Sequence, residues 1–184
     1  MLILTGLLLG ALALDAMAIP RAEGRLSFRS AAGSVLLLII MLCVFAVFLA
    51  VSGNPVGAVV FALALQALVT FASNTKHKVL GEPLVFSDLV LVGAIFRHPQ
   101  FYVDALLPWQ KLVVGAGLLA LPALLVAIFR LDHQAQFSGL ALAVAGYLAL
   151  RWLLSCKALI GLPPAPDLMA DVTRHGLLPV LLLY

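Results

Sequence analysis

The stretch "AAGSVLLLIIMLCVFAVFLAV", from Ala31 to Val51, contains no Asp, Glu, Lys or Arg. A segment this long and this apolar has no stable place in water. A helix needs roughly 20 apolar residues to cross the ~30 Å hydrocarbon layer of a bilayer. Four further stretches meet that requirement: Leu2 to Ile19, Val56 to Ala72, Leu112 to Phe129 and Phe137 to Leu154. Inside lipid no water is available to the backbone, so each span must satisfy its own N–H and C=O groups as a helix. Composition agrees: 64% of the 184 residues are hydrophobic and 10% are charged, against about 45–50% and about 25% in soluble domains. The expectation is an all-α membrane protein of the cell membrane, multi-pass. It is a five-transmembrane-helix bundle within residues 1–160, with spans at about 2–19, 31–51, 56–72, 112–129 and 137–154.

The connections differ in kind. "SGNPVG", Ser52 to Gly57, is a short uncharged turn of Gly, Asn and Pro, residues that supply turn dihedrals and local hydrogen bonds. "RLDHQAQ", Arg130 to Gln136, is also short. Residues 73–111 are far too many for a turn, and their apolar middle is broken by charge. Asp88 to Phe96 is expected to be an interfacial helix between the third and fourth spans, with Ser87 as its N-cap and Asp88 at its positive end. Trp109, Tyr102 and Phe101 suit an aromatic belt. Residues 161–184 form a juxtamembrane segment: Pro163, Pro164 and Pro166 end the fifth helix, Asp167 to His175 is polar, and Leu177 to Tyr184 is apolar but too short to span. "DAMA", Asp15 to Ala18, has the small-residue look of a signal cleavage site, but no basic residue precedes the apolar run, so the first span is expected to be retained.

Charge within or beside the spans is costly and usually paired. Asp15 either reaches the headgroups or pairs with Arg151 or Arg21 inside the bundle, and Arg151 can also snorkel. Gln66 either bonds across helices or is merely tolerated. Cys43 and Cys156 sit in or beside apolar runs as reduced thiols, without spacing for a disulfide or metal pair. His77, His98, His133 and His175 fall on separate connections. Nucleic acid is excluded as a partner, because no basic cluster interleaves with exposed aromatics. An intramembrane enzyme lacks a nucleophile–base pair in the sequence: Ser155 and Cys156 have no histidine at helical spacing.

The patch "SNTKHKVLGEPLVFSDLVL", Ser73 to Leu91, brings basic and acidic side chains together around an apolar wedge. One reading is the ordinary basic flank of a span. The other is a lipid-headgroup site, in which cations hold a phosphate and acids orient them. Asn74, Lys76, Glu82, Pro83, Leu84, Ser87, Asp88 and Leu89 resemble a pattern found after the third span of the lipoteichoic acid synthase-like phosphoglycerol transferases, within the alkaline phosphatase/sulfatase superfamily. The resemblance extends to the five-span layout and to "RHGLL", Arg174 to Leu178. It implies the membrane domain of such a transferase, anchoring a catalytic domain that is absent from this chain and presenting a phospholipid headgroup at the outer membrane face. The headgroup candidates are Asn74, Lys76, Lys78, Glu82, Asp88 and Arg97. The implied partners are membrane phospholipid and a sulfatase-like catalytic domain or subunit. That domain would carry a divalent metal such as manganese, and this chain carries no cofactor and no catalytic residue of its own. In the five-span layout nearly all Lys and Arg residues fall on the side of the long loop, and Arg130 on the other. The positive-inside tendency places the crowded side in the cytoplasm, whereas the resemblance places it outside. The alternative function is a non-enzymatic membrane scaffold or subunit of a membrane complex.

Overall fold

The computed structural model describes residues 2–19, 29–85, 129–130, 132–155 and 168–183, with the isolated positions 88, 108, 112, 115 and 116. Among these residues every regular element is a helix: α1 (Leu2–Ala16), α2 (Ala31–Ser52), α3 (Pro55–Leu80), α4 (His133–Ser155), α5 (Leu168–His175) and α6 (Leu177–Leu183). Three of them, α2, α3 and α4, are long and apolar enough to cross a membrane. The fourth expected span, 112–129, apart from residues 112, 115, 116 and 129, and the interfacial helix, apart from Asp88, lie outside the described residues.

Each helix boundary has a local cause. Ser30 caps α2, its side chain accepting from the Gly33 N–H, which satisfies one of the donors a helix start leaves open. Gly53 ends α2 in the left-handed conformation, φ +61°, where a side chain would be strained. Asn54 then caps α3, accepting from Val56 and Gly57, and Pro55 takes the first helical position, where its missing N–H costs nothing. Asp132 caps α4 by accepting from the Ala135 N–H at 3.1 Å.

The third helix differs from expectation at its far end. The apolar run ends near Ala72, but α3 continues to Leu80, so the first eight residues of the expected interfacial segment 73–111 are helical. His77 and Lys78 lie in its last turn, where the helix dipole favours cations. Ser73 and Asn74 face protein, so this polar stretch is held as helix and not released as loop. In contrast, α1 is shorter than the predicted first span: the helix stops at Ala16.

The packing fixes direction. Gly10 of α1 lies against Leu63 of α3, Gln66 Nε2 donates to the Ala11 carbonyl at 2.8 Å, and Asn74 Nδ2 donates to the Met17 carbonyl at 2.9 Å. Rising numbers match rising numbers, so α1 and α3 run parallel. Gly139 of α4 lies against Ala50 of α2 and Gly146 against Cys43, so α4 runs antiparallel to α2. One core, including Leu7, Leu37, Met41, Phe45 and Ala62, joins the first three helices. The end of α1, the start of α2 and the ends of α3 and α4 therefore share one face of the bundle. Arg130 lies at the opposite face, its N–H donating to the Ser52 carbonyl at 2.8 Å.

The α2–α4 contact depends on a missing side chain. A Cβ at Gly139 would stand 2.5 Å from the Ala50 nitrogen and 2.9 Å from its Cα. These are backbone atoms and cannot swing aside. Gly139→Ala should lower stability in mixed micelles by roughly 1–3 kcal/mol. Gly6→Ala, where a Cβ meets nothing within 4 Å, should not. Equal denaturation midpoints for the two variants would contradict this packing.

Candidate functional site

The face shared by the ends of α1, α3 and α4 and the start of α2 collects most of the polar side chains that the sequence singles out. At its centre Arg29 Nε meets Asp15 Oδ2 at 2.5 Å, with both side chains nearly buried. Arg29 Nη2 donates to the carbonyls of Asp15 at 2.8 Å and Ala18 at 3.4 Å, and Nη1 donates to the Val172 carbonyl of α5. Asp15 Oδ1 accepts from the Leu177 N–H at 3.4 Å. Burial pushes the Arg29 guanidinium below its usual range, and the Asp15 charge opposes the shift. An arginine stays protonated in proteins regardless.

The C-terminal helices close over this pair. Gly176 turns α5 into α6 at φ +98°, and a Cβ there would crowd both Asp15 carboxylate oxygens at 3.0 Å. Ser30 binds α5 twice. Its N–H donates to the Arg174 carbonyl at 2.7 Å, and its hydroxyl lies 2.6 Å from His175 Nδ1. A Cβ on Gly33 would drive into the His175 carbonyl oxygen. Val172, Leu177, Val180 and Ala18 form a small apolar cluster beneath, with Val69 and Leu168 packed against it. Residues 168–183 of the expected juxtamembrane segment are thus docked on the bundle itself.

The expected pairing of Asp15 is therefore corrected. Asp15 pairs with Arg29, while Arg151 stands exposed on α4 near its C-terminal end. Sequence adjacency hides the reason. Residues 16–28 separate Asp15 from Arg29 along the chain, yet the end of α1 meets the start of the antiparallel α2 and brings them together. Ser30 was legible as a polar residue before an apolar run, the usual N-cap signal. The grip of Arg174 and His175 on that cap had no local signal.

Around this centre the residues of the Ser73–Leu91 patch separate into two groups. Asn74 holds the end of α1: besides its bond to Met17, its Oδ1 accepts from the Ile19 N–H at 2.8 Å. Ser73 Oγ accepts from the Leu84 N–H at 3.1 Å. Lys76 Nζ donates to Asp88 Oδ2 at 2.7 Å and to the Pro83 carbonyl at 3.1 Å, and Asp88 Oδ2 also accepts from the Val85 N–H at 2.8 Å. Burial alone would raise the Asp88 carboxyl, but the Lys76 hydrogen bond, the Val85 N–H and the Lys76 charge outweigh it, and its pKa ends below the usual range. Asn74, Lys76 and Asp88 thus fold the chain that leaves α3. Lys78, in the last turn of α3, and Glu82, just past its end, are exposed. Arg97 lies outside the described residues. Farther in, Gln66 and Thr70 continue the polar side of α3 into the bundle, both buried.

The comparisons with known proteins are limited in extent. A stretch of 64 residues, 34% of this chain, is 39% identical to the capsular polysaccharide biosynthesis protein RkpI of Rhizobium meliloti (strain 1021) and covers 12% of that protein. No family model matches the chain. No solved structure matches it either. The chain is therefore similar over a third of its length to a much longer protein named for capsular polysaccharide biosynthesis.

Two outcomes test the docked helices. Removing one partner of a buried ion pair costs about 3–5 kcal/mol, because the other charge stays buried alone. Arg29→Met should therefore speed hydrogen exchange across α5 and α6, and Asp15→Asn added to it should restore part of the protection. The second outcome is pH-dependent. Burial holds the His175 imidazole below its usual pKa, the Arg174 charge adds to this, and Asp171 opposes it. The unfolded chain takes up that proton near pH 6.5 and the folded chain only at lower pH. The stabilisation is complete above about 6.5 and declines as pH falls toward the folded value. Protection of α5 and α6 should weaken on acidification through that window, and the His175→Gln variant should lose this dependence.

Proposed function

We propose that this chain is the membrane domain of an envelope-building transferase of the lipoteichoic acid synthase-like kind. It anchors and orients a sulfatase-like catalytic domain or subunit and helps present a phospholipid headgroup at the outer face of the cell membrane. The observation that carries this reading is the locked C-terminal segment. Arg29, Asp15, Ser30 and His175 seat α5 and α6 on the same face that holds the Lys76–Asp88 loop. A catalytic domain joined or bound there would be held beside that loop in a set orientation. The resemblance of the Ser73–Leu91 patch and the partial identity to a capsular polysaccharide biosynthesis protein support the same class of work, the assembly of a surface polymer.

In this reading Lys78, exposed beside the loop, meets the lipid phosphate, with Arg97 as a second cation. Lys76, Asn74 and Asp88 are positioning residues that fix the loop carrying them, and Glu82 borders the site. A compact ammonium on phosphate acts as a point charge, suited to holding a headgroup without selecting a single geometry. The divalent metal that the resemblance implies is assigned, in this reading, to the catalytic partner.

Reconstitution in vesicles with the catalytic partner tests the role. Lys78→Gln should raise the KM for the donor lipid about tenfold, equivalent to about 1.4 kcal/mol, and leave the helix content intact. Lys76→Gln should reduce turnover by loosening the loop. Wild-type kinetics in both would remove headgroup presentation and leave the scaffold reading. An impermeant thiol reagent that reached Lys78→Cys only from the cytoplasmic side would remove it too.

A further inference from the structure

One charged side chain on the lipid-facing surface is used by neither the ion-pair centre nor the loop after α3. Arg151 lies four residues before the end of α4, about 6 Å along the axis. It is exposed, and among the described residues no carboxylate stands within ion-pair distance of it. Beside it is an open groove of about 330 Å³ lined by Tyr147, Leu150, Arg151, Leu154 and Ser155. The Ser155 hydroxyl donates to the Arg151 carbonyl at 2.8 Å, so its proton is already engaged, and the Arg151 guanidinium is the charged donor left to a ligand, beside the Tyr147 hydroxyl. Among the described residues the lining thus offers one cation, no acid, and an aliphatic and aromatic wall running back toward the middle of the span.

An unpaired cation in an otherwise apolar, membrane-facing groove needs an anion that brings its own hydrocarbon. A charged group at this depth is tolerated when its head reaches the interface and finds a counter-charge there. Guanidinium binds phosphate through paired N–H donors. We propose that this groove binds an anionic phospholipid, with its phosphate on Arg151 and an acyl chain along Leu150, Leu154 and the Tyr147 ring. A phosphate ester and free inorganic phosphate share the head chemistry, but the apolar wall favours the lipid. The site lies on the outer surface of α4 and does not depend on the transferase reading or on Lys78.

The neighbouring Trp152, exposed on the same helix end, makes the site measurable. The chain has two tryptophans, so Trp109→Phe leaves Trp152 as the reporter. In vesicles, brominated phosphatidylglycerol should quench that fluorescence more strongly than brominated phosphatidylcholine. The preference should vanish when Arg151→Gln is added, persist in part with Arg151→Lys, and be unaffected by Lys78→Gln. Equal quenching by both lipids in the Arg151 protein would overturn the proposal. So would protection of Trp152 from both, which means protein covers the groove. Loss of the preference on adding millimolar inorganic phosphate would assign the cation to a soluble anion. If Arg151→Gln fails to fold, the Arg151→Lys series and the phosphate competition still decide the matter.

Discussion

The polar end of this bundle depends on one buried ion pair. Taking Asp15 and Arg29 out of water costs several kcal/mol per ion, recovered only where every donor and lone pair finds a partner. Here the partners are helix ends. The carbonyls of Asp15 and Ala18 lie where α1 terminates, and Val172 lies in α5, one turn from its end. The last carbonyls of a helix have no partner within it and carry the negative end of its dipole. One guanidinium therefore serves the end of α1 and reaches α5 as well, and its counter-ion takes the N–H of Leu177 at the start of α6. Ser30, next in sequence, closes the start of α2 and grips His175. Above the apolar cluster of Ala18, Val172, Leu177 and Val180, three residues, Asp15, Arg29 and Ser30, tie four helices together.

That arrangement decides what the far ends of the molecule can do. The opposite face is made of short turns, with the backbones of α2 and α4 in close approach at Gly139 and a single direct link between α2 and α3 at Gly53 and Asn54. The polar face, by contrast, carries a helical extension of α3, a folded turn fastened by Lys76 and Asp88, and two docked C-terminal helices. The Lys76–Asp88 pair is partly exposed, and pairs of that kind contribute about 0–1 kcal/mol. Its value lies in geometry: together with the Ser73–Leu84 bond it fixes the turn after α3 that carries Glu82, next to Lys78 in the last turn of the helix.

The three helices long and apolar enough to cross a membrane were legible from apolar run length, because lipid permits so few alternatives. The predicted 31–51 became Ala31–Ser52 and 137–154 became His133–Ser155, each lengthened at the start or end by a capping turn. The extension of α3 was hidden, because run length measures apolarity whereas the helix persists through Ser73 and Asn74, which bond inward. The polar site was only half legible. Asn74, Lys76 and Asp88 stood out as types, but apart from the Lys76–Asp88 pair their partners are main-chain groups of α1 and of the turn after α3, which no residue pattern announces. The partner of Asp15 was missed for a related reason. Arg29 reads as one more basic residue of a polar connection, and Arg151 draws attention because it interrupts an apolar run. The interrupting cation faces outward, and the inconspicuous one is buried.

The lengths of the helices explain why an apolar segment too short to span is nevertheless held at the membrane. With 15 residues α1 reaches about 22 Å, whereas the 22 residues of α2 reach about 33 Å. Because α1 and α3 run parallel and meet at Met17 and Asn74, the last six residues of α3 extend about 9 Å beyond that level. The short helix leaves a recess beside α3, floored by Ala18 and by the Asp15–Arg29 pair. Open to lipid, that recess would expose the ion pair to hydrocarbon; open to water, it would expose Ala18 and Val69. The segment "LLPVLLL" of α6 fits this need: Leu177 and Val180 turn into the recess and are nearly inaccessible, while Leu182 is exposed. The proline at position 179, within its first turn, lacks an N–H where a helix start has no acceptor to offer. An apolar helix of seven residues is unstable alone, and it persists here because the shortness of α1 and the buried charge beneath it leave a cavity that its side chains fill.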